Sequence, residues 1–355
     1  MTPKEFNIHN LVCIRIEATS PTVRQVAQHH WREFEAPVTT TVPDILIRDY
    51  ADCPCVSNVW LADGLSVGEG WFRSDKHKYA VRMSSVGTRL TVYVMRVLPI
   101  PLNLLVQIVL LQKGFSLVHG AGVSYRGKNI LLPAFGGVGK TILVSSVISA
   151  GGKVFGDDML LVGNGRMMPY LMDLSIYDYH LPILGITDKK IGAAFQGDKF
   201  IELIISIIKN VDSRLGRAIQ YLLRGLKKNC FSLPAQSIFG QSCQACGGPI
   251  DVVCFLIRRE TDDAEIKLEL AEGDWLAKVC ASILAHEWAP TAHEWYVPAS
   301  LFGGWEHLQL FNLSQHVIRE ALVGRPCYIA TIPVSLPPRE YSLKILPLLD
   351  SMTGV

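Results

Sequence analysis

The residues best suited to do chemistry lie near the middle of the chain, in Ala134-Phe135-Gly136-Gly137-Val138-Gly139-Lys140-Thr141. They fit the phosphate-binding (Walker A) pattern G-x-x-x-x-G-K-[ST], with Ala134 in place of the first glycine. Glycines let the backbone fold around an anion with successive N–H groups turned inward. The N-terminus of a following helix adds partial positive charge. Gly136, Gly137, Val138, Gly139, Lys140, Thr141 and Ile142 are therefore the expected nucleotide-binding residues, with ATP as the nucleotide. Lys140 can reach the β- and γ-phosphates, and the Thr141 hydroxyl can ligate Mg²⁺. Alanine is also small, so it fits at 134 wherever φ is negative. A glycine-rich loop can match such a pattern by coincidence. A strand-like run at 129–132 before it and a helix-like run at 141–150 after it argue against that.

Downstream, Asp157-Asp158 closes a short strand-like run. In phosphate-loop enzymes an aspartate at a strand end holds Mg²⁺ directly or through water. Two adjacent carboxylates suggest divided labour, one serving the metal and one taking the proton of an incoming hydroxyl. Asp157, Asp158 and Lys140 are candidate catalytic residues, and Thr141 and Asp158 are candidate metal ligands. Which aspartate takes which part stays open. The alternative is an Asp-Asp turn that caps a neighbouring element. His119, before Gly120 on an upstream apolar run, is the fourth catalytic candidate, able to orient or tune a carboxylate. Taken alone, a histidine on a strand is more often a satisfied structural residue.

These residues need a strand–turn–helix–strand frame to meet. The pattern supplies a helix at 104–113 ended by Gly114, strands at 116–124 and 129–132, and a helix at 141–150. A strand at 153–155 leads into the aspartates, and 159–162 continues it. Farther on come an apolar strand at 251–258, helices at 275–287 and 314–323, and a last strand at 327–334. Before Pro99 and Pro101 the rhythm differs. A strand at 8–18 and a polar helix at 22–34 precede short β-like runs at 44–48, 56–62, 68–72, 79–84 and 88–96. The expected architecture is an α/β phosphate-loop kinase domain over 101–340. A smaller β-rich (α+β) N-terminal domain over 1–100 precedes it, and a C-terminal tail over 341–355 follows.

Val118-His119-Gly120-Ala121-Gly122-Val123, the loop at 134–141 and Phe155-Gly156-Asp157-Asp158 occur in that order. In order and spacing they resemble the C-terminal catalytic domain of the HPr kinase/phosphorylase family. Gly137 and Gly139 match the internal glycines of that family's G-x-x-G-x-G-K-[ST] loop. The resemblance implies a phosphate-loop kinase fold of that type, ATP and Mg²⁺ as cofactors, and a serine hydroxyl as acceptor. It also implies that Lys140 and Thr141 hold phosphate and metal, that Asp157 or Asp158 is the base, and that His119 supports it. The Glu-x-Arg-Gly run that bacterial HPr enzymes carry after the aspartates is absent. The chain looks more like the divergent branch that includes lasso-peptide precursor kinases, which implies a peptide or protein partner carrying the acceptor. A small-molecule hydroxyl kinase, a nucleotide-regulated binding module without turnover and an ATP hydrolase are the alternatives.

Composition bounds the rest. Lys+Arg at 34 against Asp+Glu at 32 leaves a net charge of only +2, so no nucleic-acid partner is expected. Hydrophobic residues at 49% and charged residues at 19% exclude a disordered chain. No run reaches the ~20 apolar residues of a spanning helix. The nearest, 97–111, is interrupted by Pro99, Pro101, Asn103 and Gln107 and reads as a buried helix entered through a proline-rich turn. Membrane contact is not expected, while a homo-oligomer is compatible with the sequence. The first residues lack a signal-peptide pattern, and nine cysteines, an odd number, read as reduced thiols in a cytoplasmic protein. Cys53/Cys55 and Cys243/Cys246 are too far apart in sequence to suggest a shared zinc site, and read as loop or buried thiols. Residues 209–228 form a helix-like stretch with Arg214, Arg217, Arg224 and Lys228 along one stripe. That stripe is a candidate clamp for phosphates or an acidic peptide, and otherwise a solvated face. The repeated His-Glu-Trp at 286–288 and 293–295 reads as a loop packed under aromatic cover rather than a metal site.

Overall fold

The computed structural model describes residues 2–54, 59–60, 64–68, 70–83, 89–96, 102–184, 231–234, 237–238, 240–261, 265–302 and 307–354. The cationic stretch 209–228 lies outside the described residues. Among those described, the chain forms a mixed α/β structure with two large sheets.

The first sheet begins with a hairpin of Lys4–Ile8 (β1) and Val12–Ile16 (β2). The sequence suggests one strand over 8–18, but the chain turns at its start. His9 and Asn10 both take positive φ, 52° and 60°, and the Asn7 side chain accepts the Asn10 N–H at 2.7 Å. Asparagine tolerates this left-handed backbone, so the turn is set by local chemistry within an otherwise apolar run. Helix α1 (Pro21–Trp31) matches its expected place. Strands β3 (Glu35–Ala36), β4 (Ile45–Asp49), β5 (Val59–Trp60), β6 (Leu65–Gly68), β7 (Trp71–Ser74), β8 (Tyr79–Met83) and β9 (Leu90–Val94) complete nine strands in the order β3-β1-β2-β4-β9-β8-β7-β6-β5. The strand expected at 68–72 is instead a reversal, in which Gly68 ends β6 and pairs with Trp71 of β7.

Helix α2 (Leu102–Gln112) is apolar around nearly its whole circumference and buried on all sides, as such a helix must be. Its two buried polar side chains, Asn103 and Gln107, are satisfied. Gln107 donates to Ser116 Oγ and Ser314 Oγ, both at 2.9 Å, and accepts the Leu117 N–H at 2.7 Å. Asn103 Oδ1 accepts the Tyr170 hydroxyl at 2.9 Å, and that hydroxyl in turn accepts the Trp31 indole N–H at 3.1 Å. One apolar cluster joins Phe6, Ile14, Ile45 and Val92 of the first sheet to Trp31, α2 and Leu117, Met159 and Leu161 of the second.

The second sheet contains β10 (Ser116–Tyr125), β11 (Lys128–Pro133), β12 (Lys153–Gly156), β13 (Met159–Gly163) and β14 (Arg166–Met168), and β15 (Leu174–Ile176) lies apart from it. Between β11 and β12 runs α3 (Lys140–Ser149), and after β15 a short α4 (Leu181–Leu184). Next come β16 (Phe231–Leu233), β17 (Gly248–Pro249), β18 (Val252–Arg259) and β19 (Lys267–Leu270). Helices α5 (Gly273–Phe302) and α6 (His307–Leu322), strand β20 (Cys327–Pro333) and helix α7 (Pro338–Thr353) complete the chain. The sheet runs β17-β14-β13-β10-β11-β18-β20-β19, with β12 also on β10, and β15 pairs separately with β16. Its centre, β11-β18-β20, is parallel. Alternate residues of these strands point to opposite faces. Ile130, Leu132, Cys254 and Leu256 pack with α3 and α7, while Leu131, Val253 and Phe255 pack with α5 and α6. Covered on both faces, a parallel centre reads as the unbroken apolar runs seen here.

Two further elements differ from the sequence reading. Helix α5 continues through 302, so both His-Glu-Trp triplets sit on a helix rather than in a loop. The stretch from 341 onward is no loose tail, because Tyr341, Ile345, Leu348 and Leu349 of α7 are buried against α3 and the sheet.

Candidate active site

The glycine loop connects β11 to α3, as its pattern requires. Ala134 is fully buried, extends β11 by a bridge to Leu256, and is not among the residues with positive φ. Gly139 ends the loop at φ 106°, and a Cβ there would lie 2.9 Å from the Tyr341 ring. A side chain at 139 meets both a forbidden backbone region and a wall, so only glycine serves. Lys140 opens α3. Its Nζ donates to His119 Nε2 at 2.8 Å and to the Phe135 carbonyl at 3.0 Å. An ammonium can only donate, so His119 Nε2 holds a lone pair and the ring proton sits on Nδ1. Burial pushes the pKa of Lys140 and of His119 down, and their proximity lowers the histidine further.

Strands β12 and β13 lie along β10 in one antiparallel line, with Gly122 opposite Gly156 and His119 opposite Met159. Asp157-Asp158 is the break in that line, which is why the pair projects from the sheet rather than continuing the ladder. The break is held from behind, since the Asp158 carbonyl accepts the Gly120 N–H at 3.0 Å. A Cβ on Gly156 would run into the Met159 carbonyl, so this kink also demands glycine.

The two carboxylates face different surroundings. Asp157 is buried, and its Oδ2 accepts the Thr141 hydroxyl at 2.7 Å, while its Oδ1 has no hydrogen-bond partner among the described residues. Burial raises its pKa from 3.8 to about 6, against the lowering effects of the Thr141 hydrogen bond and the Lys140 charge. Asp158 is open, with its side chain 53% exposed, and its Oδ1 lies 3.3 Å from His119 Nε2. The pairing expected at a metal was Thr141 with Asp158; the structure sets Thr141 against Asp157. Gly136, Gly137, Gly139, Lys140, Thr141, Asp157 and Asp158 line one cavity of about 400 Å³. His119 is within contact of that set, and Val138 and Ile142 pack into the core behind it.

Further lining or flanking residues escape the sequence reading. Glu287, on α5, places Oε1 3.4 Å from His119 Nδ1. The preceding His286 sets its ring edge-on to Phe135 with centroids 6.0 Å apart, so α5 lies over the loop. Tyr177 and Tyr179 line the cavity beyond β15, and so does Asp173, which is tied to His29 of α1 at 3.3 Å and to Arg32 just after it at 3.0 Å. The glutamate lay in a triplet visible in sequence, but nothing local to that triplet reveals its reach toward His119. The two tyrosines and Asp173 carry no spacing signal. Among the described residues no cluster of three or more His, Cys, Asp or Glu side chains is placed to hold a metal, and seven cysteines are free. No helix among them is long and apolar enough to cross a membrane.

The fold and site define a mixed α/β protein with a glycine loop at a helix N-terminus facing two carboxylates. No protein-family model matches the chain, and no curated protein does. Among solved structures, the HPr(Ser) kinase/phosphatase from Coxiella burnetii aligns at 9% identity over 67% of this chain and 99% of that chain, with a TM-score of 0.30. At that score the similarity is distant and carries no argument about the activity.

Proposed function

We propose that the chain is an ATP-dependent, Mg²⁺-requiring phosphotransferase that moves the γ-phosphate to a hydroxyl, most favourably a serine of a peptide or protein. One observation carries this reading: the loop lysine and threonine each touch a member of the His119–Asp157–Asp158 set, at 2.8 and 2.7 Å. Nothing in a merely structural glycine turn calls for that convergence.

The residues fit the metal. The Thr141 hydroxyl and Asp157 carboxylate offer oxygen donors, which suit a hard cation, and the partnerless Oδ1 of Asp157 is a buried acceptor in want of one. Few protein ligands are needed, because Mg²⁺ keeps several waters and shares the nucleotide's phosphates. When bound, Mg²⁺ would neutralise charge developing on the β- and γ-phosphates.

The chain's own residues divide the remaining work. The loop N–H groups and the start of α3 would hold the triphosphate, and the Lys140 ammonium would turn from His119 to the phosphate oxygens. Asp158, the exposed carboxylate, would accept the proton of the acceptor hydroxyl. The acceptor oxygen then bonds to the γ-phosphorus as the bridging oxygen–γ-phosphorus bond breaks, and ADP leaves. His119, freed from Lys140 and flanked by Asp158 and Glu287, would take up a second proton and donate from Nε2 to Asp158. We place the kinase domain from 101 onward, including α7, with 1–100 as the N-terminal domain.

The test is incubation with γ-labelled ATP and cell extract, followed by mass spectrometry of labelled products. Wild-type protein should label an acceptor, and Lys140→Ala and Asp158→Asn should not. Undiminished transfer by either variant would sink the reading.

A further inference from the structure

We infer that Tyr177 and Tyr179 are the platform on which the purine base of the bound nucleotide stacks. This rests on the phosphate-loop reading above and extends it to the other half of the ligand.

Both tyrosines line the same cavity as Gly136, Lys140 and Thr141. Their rings are nearly parallel, 6° apart in plane with centroids at 5.7 Å, yet they remain 38% and 43% exposed. Two large aromatic faces left open in the cavity that holds the glycine loop are matched by a flat, aromatic ligand. They are also fixed. His180 is buried, its ring lies 5.7 Å from Tyr177 and 4.2 Å from Tyr179, and its Nδ1 accepts the Tyr177 N–H at 3.1 Å. A base landing there would find the faces already ordered, so little conformational entropy is lost on binding.

The placement relative to the phosphates favours a base over an acceptor side chain. Immediately after His180, α4 packs against α3, and Ile183 joins the apolar cluster that contains Ile142 and Leu143. The platform is thus anchored to the helix whose N-terminus would hold the phosphates. Of the residues that handle the acceptor in the proposed reaction, only Asp158 lines the cavity with the tyrosines, while His119 and Glu287 are not part of that lining. Stacking on tyrosine reads a π-face and not a hydrogen-bonding edge, so the ligand class is a purine nucleoside triphosphate with weak preference between purines.

The test separates base from phosphate by titrating Mg²⁺ complexes of ATP and of inorganic tripolyphosphate, which lacks the base. Wild-type protein should bind ATP more tightly than tripolyphosphate. In Tyr177→Ala/Tyr179→Ala, ATP affinity should fall roughly ten- to a hundredfold while tripolyphosphate affinity stays unchanged. The corresponding phenylalanine variant should bind ATP like wild type, and retained tripolyphosphate binding reports that each variant is folded. The wild-type comparison needs no variant: equal affinity for the two ligands overturns the platform and leaves the phosphate loop standing. ATP affinity unchanged in the alanine variant, or a raised KM for the acceptor alone, also overturns it. Binding of neither ligand by wild type overturns the phosphate-loop reading, and the platform with it.

Discussion

Asp157 links the chemistry of the site to the stability of the fold, and the link can be measured before any substrate is known. Burial raises its carboxyl pKa from 3.8 to about 6. A raised value means that the folded state binds the proton more tightly than the unfolded chain does. The ionised group therefore opposes folding above pH 6, and that opposition is lifted as the pH falls from 6 toward 4. At about pH 5, one unit below the folded value and about one above the unfolded, roughly 1–2 kcal/mol is recovered relative to about pH 7.5. The perturbation is Asp157→Asn, which keeps an oxygen for the Thr141 hydroxyl but does not titrate. Urea unfolding of both proteins with metal chelated, followed by circular dichroism at the two pH values, isolates the effect. Other groups act in both proteins, including His119, whose lowered pKa works in the opposite sense. The wild type should gain about 1–2 kcal/mol on the variant as the pH is lowered. Parallel pH dependence in the two proteins would refute the claim that Asp157 is a buried, strained carboxylate awaiting a cation.

Three further outcomes follow from particular contacts. Glu287→Gln removes the charge beside His119 Nδ1 and should lower kcat for phosphate transfer roughly tenfold or more, with KM for ATP nearly unchanged, in steady-state kinetics. Gly139→Ala forces a side chain into φ 106° and against Tyr341, so a thermal melt should show about 1–3 kcal/mol of lost stability, and ATP binding should weaken with it. Trp31→Ala empties a fully buried site in the cluster shared by both sheets and should cost about 3–5 kcal/mol. Hydrogen exchange should then accelerate in β10 and β11 as well as in β1 and β2; acceleration confined to the first sheet would show that the halves unfold separately.

What the sequence discloses follows from how far apart the partners lie. Loop and helix at 134–149 are legible because anion-binding geometry is encoded by consecutive residues: glycines where φ is positive, lysine and threonine at the first turn of a helix. The aspartate pair is legible because a short strand must end before it can project side chains. The helix read at 275–287 stops short of Pro290 and Pro298, yet α5 runs through both, and Pro347 lies inside α7. A proline costs about 3 kcal/mol in a helix interior, and α7 offsets that with buried Tyr341, Ile345, Leu348 and Leu349, contacts that no local rule contains.

The same distance argument explains why Glu287 was invisible while His119 was not. His119 reaches the site through one strand: β10 pairs with the line on which Asp157-Asp158 forms the break, so His119 is brought beside the pair by register alone. Glu287 arrives through tertiary packing, because α5 must cover Leu131, Val253 and Phe255 before residue 287 comes over the loop. An acid so placed is no by-product of the core. The same helix face could bury its apolar residues with any side chain at 287, and a carboxylate there sets negative charge 3.4 Å from His119 Nδ1, which raises the histidine's pKa against the effect of burial. A helix folded from the far end of the chain thus reaches the loop, and a reading from local motifs alone omits the carboxylate nearest His119 Nδ1.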